Sequence, residues 1–461
     1  MKLFVVSPDC APGDQRLEIN GQGWGLLEQE IPNTADESAD FICVSYSWGT
    51  GRSPSPFHPP HEVSDRTLPV LATTIAQRPN ARKIWIDAFC VPSPSEPSLR
   101  ASTLQSMGFI YSRASEVVVV LTSEALPVIQ QALLSIPLTP AHLDILEAQD
   151  WMTRAWTYQE TVNARSLCIT CDSDSLPPCT SVLIDVMDFF NRLGHSLALL
   201  PPRERTRYPR LNALEELLSD YKIAAYLGRS ALQVMRVMDE RSQTVPEDHF
   251  YAMMGAISTE LAKAVEGMSP CGAFMALCER KGDYSFVFSS EARDDREGKR
   301  WRPREGDLRP IIKLPSCGEG LKGREWDGCL VLDKMVVIGL GTPGPNVRAF
   351  IGRWLVGFEE FGAWPDLQPE QAAFEALRTL GFSGSSAYLA TEYGLFFPQS
   401  PVPRSVDVEI LIAIEMIWTL GAPALVRYRD NSSLDEFSYL PGVFFGQIWG
   451  PAYVKTSVWL R

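Results

Sequence analysis

The chain has 461 residues, a formal net charge of −14, 45% hydrophobic residues and 21% charged residues. That length exceeds one ordinary hydrophobic core, so two or three domains are expected. The acidic balance argues against nucleic acid or an anionic membrane surface as a bulk partner, while leaving room for a small anion held by local arginines.

The opening apolar run, Leu3 to Val6, is far short of a signal-peptide core. No stretch approaches the ~20 apolar residues of a membrane span, so a cytoplasmic protein with no membrane partner is expected. Ten cysteines in so long a chain do not read as a disulfide framework. Cys168 and Cys171 form one CxxC with Cys179 nearby, but no second ligand pair follows and no metal site is expected.

Four short β-prone runs mark the first 171 residues: Phe41–Val44, Lys83–Asp87, Val117–Leu121 and Leu167–Ile169. They are continuously apolar, as strands buried on both faces of a parallel sheet should be. Their spacing leaves room for a crossover helix between each pair. The clearest such helix is 99–114, where Leu104, Met107, Ile110, Tyr111 and Ala114 share a face. The expected fold is therefore α/β, with a parallel sheet. Proline-rich "RSPSPFHPPH" (52–61) and "VPSPSEPS" (91–98) read as loops at the carboxyl edge of that sheet, where open α/β folds place ligands.

From about 180 to 265 the pattern is helical, with Leu214, Leu217, Leu218, Tyr221 and Ala225 in register. The charged stretch 289–310 reads as a linker or exposed loop, and the remainder as a smaller mixed α+β module. The expected boundaries are a lead-in over 1–40, an α/β domain over 41–171, a helical region over 172–288 and the final module over 289–461.

Polar residues crowd the strand ends. Ser45, Tyr46, Trp48 and Gly49 follow the first strand, and Asp87 follows the second. Each lies where a small ligand docks in a parallel sheet, although Trp48 reads equally as a core aromatic and Asp87 as a loop brace. "WMTRAWTYQE" (151–160) reads as a helix capped by Asp150. At about 100° per residue, Trp151, Ala155, Tyr158 and Val162 form one stripe, with Trp156 and Glu160 on the other side. Either that stripe packs and Glu160 faces a cleft, or Glu160 is buried and needs a partner. "GLGTPG" (339–344) matches a dinucleotide fingerprint, but its prolines and the weak helical pattern after it favour a plain turn. A weaker oxidoreductase reading rests on that turn alone.

Four segments in order, "VSYSWG" (44–49), "WIDAFCV" (85–91), "MGFIYSRA" (107–114) and "RAWTYQE" (154–160), resemble the fungal heterokaryon-incompatibility (HET) domain. "PEDHFYAMMGAIS" (246–258) and "WDGCLVLDKMVVIG" (326–339) resemble the stretches that follow it in such proteins. The chain departs from the pattern after Val91, where Pro92-Ser93 replaces the usual Asn-Gln. The resemblance implies self/non-self recognition between fungal strains, with programmed cell death on activation.

HET domains are in turn similar to TIR domains, which are flavodoxin-like sheets. By that similarity Glu160 aligns with the glutamate of NAD-cleaving TIR enzymes and Trp156 with the family tryptophan. The implied catalytic residue is Glu160. The implied substrate contacts are Ser45, Tyr46, Trp48, Gly49, Asp87, Arg154 and Trp156, with Arg154 facing a phosphate or serving as an ion-pair partner. NAD would be the substrate, with no separate cofactor. The domain would assemble with itself or answer a protein trigger. The rival expectation is a non-catalytic signalling module of the same fold.

Overall fold

The computed structural model describes residues 1–11, 15–31, 39–58, 61–93, 95–172, 182–223, 229–260, 267–315, 320–358, 366–430, 436–447 and 456–460. Met1–Ile223 with Glu240–Glu266 forms one compact unit, and Ala224–Asp239 with Gly267–Arg461 forms a second.

The first unit begins with β1 (Lys2–Ser7), β2 (Leu17–Ile19), β3 (Gln22–Glu30) and β4 (Ile42–Tyr46). A small hairpin of β5 (Arg52–Pro54) and β6 (Glu62–Ser64) leads into α1 (Thr67–Gln77) and β7 (Ile84–Trp85). The short α2 (Asp87–Cys90) precedes α3 (Pro97–Gln105), α4 (Met107–Arg113) and β8 (Glu116–Leu121). Next come α5 (Leu126–Leu133), α6 (Pro140–Glu147), α7 (Ala155–Val162), β9 (Leu167–Cys171) and β10 (Ile184–Asp185). Helices α8 (Val186–Ala198), α9 (Pro202–Arg205) and α10 (Pro209–Ile223) follow; α11 (Ala231–Asp239) belongs to the second unit and α12 (Asp248–Ile257) to the first.

The four apolar runs become β4, β7, β8 and β9, and their pairings with one another are all parallel. The full sheet runs β10-β9-β8-β4-β7-β1-β3-β2. Among the parallel strands the spatial order is second, first, third, fourth in sequence. The sheet is mixed rather than wholly parallel, because β10 pairs antiparallel with β9, and β1 pairs antiparallel with both β7 and β3. The apolar run of β1 is too short to stand out in sequence, yet Val5 and Val6 are fully buried.

Two other expectations change. The helix read over 99–114 is broken at Ser106 (φ −96°, ψ 7°) into α3 and α4. All seven residues of α4 are buried, whereas α3 buries only Thr103, so one straight helix would not serve both environments. The proline-rich 52–61 stretch begins with a hairpin strand, and Phe57 packs edge-on against Phe89 at 5.1 Å. The helical stripe of Leu214, Leu217 and Leu218 is buried in α10, while Ala225 lies outside the described residues.

In the second unit, β11 (Gly323–Trp326), β12 (Cys329–Gly339), β13 (Leu389–Ala390), β14 (Gly394–Pro398), β15 (Ser405–Ala413), β16 (Gly421–Asp430), β17 (Ser438–Gly446) and β18 (Thr456–Leu460) form an antiparallel sheet. Helices α13 (Pro270–Lys281), α14 (Pro345–Val356) and α15 (Pro369–Thr379) accompany it. Its core includes Phe396, Ile410, Ile412, Val426 and Phe444. The charged 289–310 stretch is not a free linker. Trp301 is fully buried against Tyr284 and Phe286, and surrounding charges pair locally, as in Arg302–Glu279 and Arg304–Asp295. After the glycine turn a helix does open, at Gly344. The strand before it, β12, has only antiparallel partners among the described residues, and a Cβ at Gly339 would meet nothing within 4 Å. The parallel strand–helix–strand unit that a dinucleotide fingerprint serves is therefore missing there.

Two glycines set the helix packing of the first unit. A Cβ on Gly108 of α4 would lie 2.3 Å from the Gly255 carbonyl oxygen and 2.6 Å from that of Ser258. The backbones of α4 and α12 therefore touch, and α7 joins them where Asn163 Nδ2 donates to the Gly255 carbonyl at 2.8 Å. Gly108→Ala must push two backbones apart and should cost about 1–3 kcal/mol. Urea unfolding at fixed pH checks this; a loss below ~0.5 kcal/mol would show that the helices separate without penalty.

Candidate active site

Ser45 is the penultimate residue of β4, and every residue of that strand is buried. Its hydroxyl donates to Glu160 Oε2 at 2.5 Å and accepts the indole N–H of Trp151 at 2.8 Å. Glu160 is 5% exposed, so of the two orientations open to the 151–160 stretch the structure takes the buried one, with a serine as its partner.

The stretch is not one helix. Asp150–Thr153 forms a 3-10 turn, and Arg154 is extended (φ −70°, ψ 142°) before α7 begins at Ala155. The break is held by a strand-like exchange in which Ala155 N–H donates to the Ser242 carbonyl at 2.9 Å and Ser242 N–H to the Thr153 carbonyl at 2.8 Å. Breaking the helical phase lets Trp151 and Glu160, placed on opposite sides by a continuous helix, meet on the same hydroxyl. Both faces of α7 are covered, by β4, α4, α10 and α12.

Asp87 stands at the carboxyl end of β7 and begins α2. Its carboxylate accepts the Trp48 indole N–H at 2.9 Å and the Ala88 N–H at 2.7 Å. Tyr46 shares its hydroxyl hydrogen bond with Thr67 of α1 at 2.8 Å. Gly49 takes φ +65°, a backbone that favours glycine, and its carbonyl accepts from Arg52, whose guanidinium lies 5.6 Å from the Trp48 ring.

Burial pushes the Glu160 carboxyl up to about 8. The Ser45 hydrogen bond opposes that rise, the charge of Asp87 adds to it, and Arg154 and the Tyr111 hydroxyl oppose it. Burial also raises Asp87, against its hydrogen bonds from Trp48 and Ala88 and the charge of Arg154. Arg154 is half-buried and its charge acts on Asp87, Glu160 and Asp248. Among the described residues its guanidinium closes no ion pair with any of them. With its proton affinity raised to about 8, Glu160 can exchange a proton near neutral pH, and it does so beside a second carboxyl whose proton affinity is also raised and an arginine able to meet an anionic or polyhydroxyl ligand.

Ser45, Tyr46, Trp48, Asp87, Arg154 and Glu160 thus share one electrostatic neighbourhood. Trp156 does not join the Ser45–Glu160 contact; its indole N–H donates to Asp248 of α12 at 2.9 Å. Sequence reasoning missed Tyr111, which donates to the Val44 carbonyl at 3.1 Å, and gave Trp151 only a packing role. It also missed Arg66, which binds Asp172, both oxygens of Ser47 and the Leu121 carbonyl, tying together the chain beyond β4, β8 and β9. Tyr111 carried a signal, its place in "MGFIYSRA"; Arg66 carried none. Among the described residues no group of acidic, histidine or cysteine side chains fits a metal ion. Cys168 and Cys171 are free and buried, and Cys179 lies outside the described residues.

Residues 41–140 match the family model described as heterokaryon incompatibility protein (HET). The chain carries a HET domain. The match spans the Ser45, Trp48 and Asp87 segments and ends before Glu160. Neither a curated protein nor a solved structure matches the chain. The HET domain supports a function of the heterokaryon-incompatibility type. No described helix is long and apolar enough to cross a membrane.

The buried carboxyl has a measurable signature. An unfolded glutamate titrates near about 4.3, so between that pH and about 8 the folded chain holds a proton that the unfolded chain has lost. This group therefore lowers stability as pH rises across that window, by at most about 1.4 kcal/mol per pH unit. Glu160→Gln removes the effect. Its stability relative to wild type should climb from pH 5 to 8 and level off above; a pH-independent difference in urea unfolding would refute the buried neutral acid.

Proposed function

We propose that the protein mediates self/non-self recognition leading to programmed cell death, and that its HET domain cleaves NAD at the nicotinamide–ribose bond with Glu160 as the working carboxylate. The carrying observation is the Ser45–Glu160 hydrogen bond at the carboxyl end of β4. The order of the parallel strands reverses beside β4, and open α/β sheets bind ligands at such a point. The same second-first-third-fourth order supports a flavodoxin- and TIR-like reading of the domain.

In this reaction the glycosidic C–N bond breaks, its electron pair goes to the pyridine nitrogen, and nicotinamide leaves neutral without a general acid. The ribosyl oxocarbenium ion left behind is stabilised by a carboxylate and captured by water, which gives up a proton. At rest near neutral pH Glu160 is largely protonated. The cationic pyridinium of bound NAD, together with Arg154, favours its ionised form. Trp48 supplies a flat face for the nicotinamide, Tyr46, Gly49 and Asp87 border the same edge, and Arg154 meets the diphosphate. Trp156, held by Asp248, stands outside this arrangement. Assembly of the domain with itself, set off by a protein trigger, would complete the working state.

A second reading is favoured by the near-complete burial of Glu160: the Ser45 contact is a structural tie in a non-catalytic assembly module. The two readings separate in a nicotinamide-release assay on the full chain, alone and forcibly oligomerised. Under the catalytic reading Glu160→Gln lowers release about 100-fold or more with the fold intact, and wild-type release increases with pH toward about 8. No release in either assembly state overturns that reading, and cell death that survives Glu160→Gln supports the module.

A further inference from the structure

We propose that Trp151 is a positioning residue: its indole N–H fixes the direction of the Ser45 hydroxyl, committing that hydroxyl's one proton to Glu160. The inference deepens the proposed reaction and rests on Glu160 as its working carboxylate.

The argument is one of donors and acceptors. A serine hydroxyl has one proton and two lone pairs, while an indole N–H only donates. With Trp151 donating to Ser45 Oγ at 2.8 Å and Glu160 Oε2 2.5 Å from the same atom, the proton of Ser45 is directed to the carboxylate. A neutral Glu160 could donate to Ser45 instead, and the indole N–H already holds part of the capacity to accept that proton. Trp151 therefore favours the ionised carboxyl without touching it. Trp151 is fully buried, so no water competes at its N–H, and the Thr157 hydroxyl shares its proton between the carbonyls of Trp151 at 3.0 Å and Arg154 at 2.8 Å, pinning the turn that carries the indole.

Other titratable or charged groups also face Glu160. Cys43 lies on β4, Asp87 on α2, Tyr111 on α4, and Arg154 just before α7. The helices α10 and α12 also pack on α7, but Asp220 is engaged by Tyr158 and Asp248 by Trp156.

The test reads the carboxyl directly. The protonated carboxyl stretch of Glu160 is followed by difference infrared titration of the full chain, with Glu160→Gln as the blank. Trp151 is replaced by benzothienylalanine, which keeps the ring shape and lacks the N–H, and in parallel by Phe; near-ultraviolet circular dichroism checks the fold. The midpoint should move upward by about half to one pH unit. In a Ser45→Ala background the same replacement should move it no further. An unchanged midpoint, or an equal shift with and without Ser45, overturns the proposal. Nicotinamide release is measured separately: its absence counts against NAD cleavage, while the titration still decides the role of Trp151.

Discussion

A carboxyl group cannot be taken out of water without a partner, and the placement of Glu160 beside the end of β4 is organised by that constraint. Ser45 meets it with a single short hydrogen bond. For the contact to form, α7 must start at Ala155 and present its sixth residue to β4. The chain before it must turn back so that Trp151 reaches the same hydroxyl. The extended Arg154 is the joint that allows both, and pairing with the backbone of Ser242 holds it open.

The helices around this joint are brought together by missing side chains as much as by present ones. Gly108 and Gly255 let α4 and α12 meet backbone to backbone, and Asn163 fastens α7 to the same point. Segments separated by about 150 residues in the sequence thereby form one wall. Trp156 and Asp248 close its outer side. The same packing that buries Glu160 raises its proton affinity, so structural tie and chemical poise have a common origin. Arg66 performs the complementary task at the sheet edge, joining Ser47, Leu121 and Asp172 through one guanidinium.

Much of the sheet was legible in the sequence because strands buried on both faces must be continuously apolar, and four such runs stand clear of their surroundings. The positions of Ser45 and Asp87 at strand ends followed directly. The antiparallel additions at the sheet edges were hidden, since short half-covered strands leave a weak pattern. The charged 289–310 stretch misled for a related reason: its average polarity concealed Trp301, one residue whose burial anchors the segment. The glycine turn at 339–344 illustrates the converse, a motif whose spacing is right while every sheet partner described around it runs the wrong way.

By itself the sequence determined that four apolar runs had to be inside, where the parallel strands lay, and that Glu160 would be either exposed or partnered. It also carried the HET resemblance in its ordered motifs. Only the tertiary structure decided that Glu160 is buried, that its partner is Ser45, and that Trp151 stands on the same hydroxyl. Helical periodicity specifies angles within one unbroken helix and says nothing once the helix is interrupted. The interruption at Arg154 is held by Ser242, distant in sequence, and a contact of that kind exists only after the chain has folded.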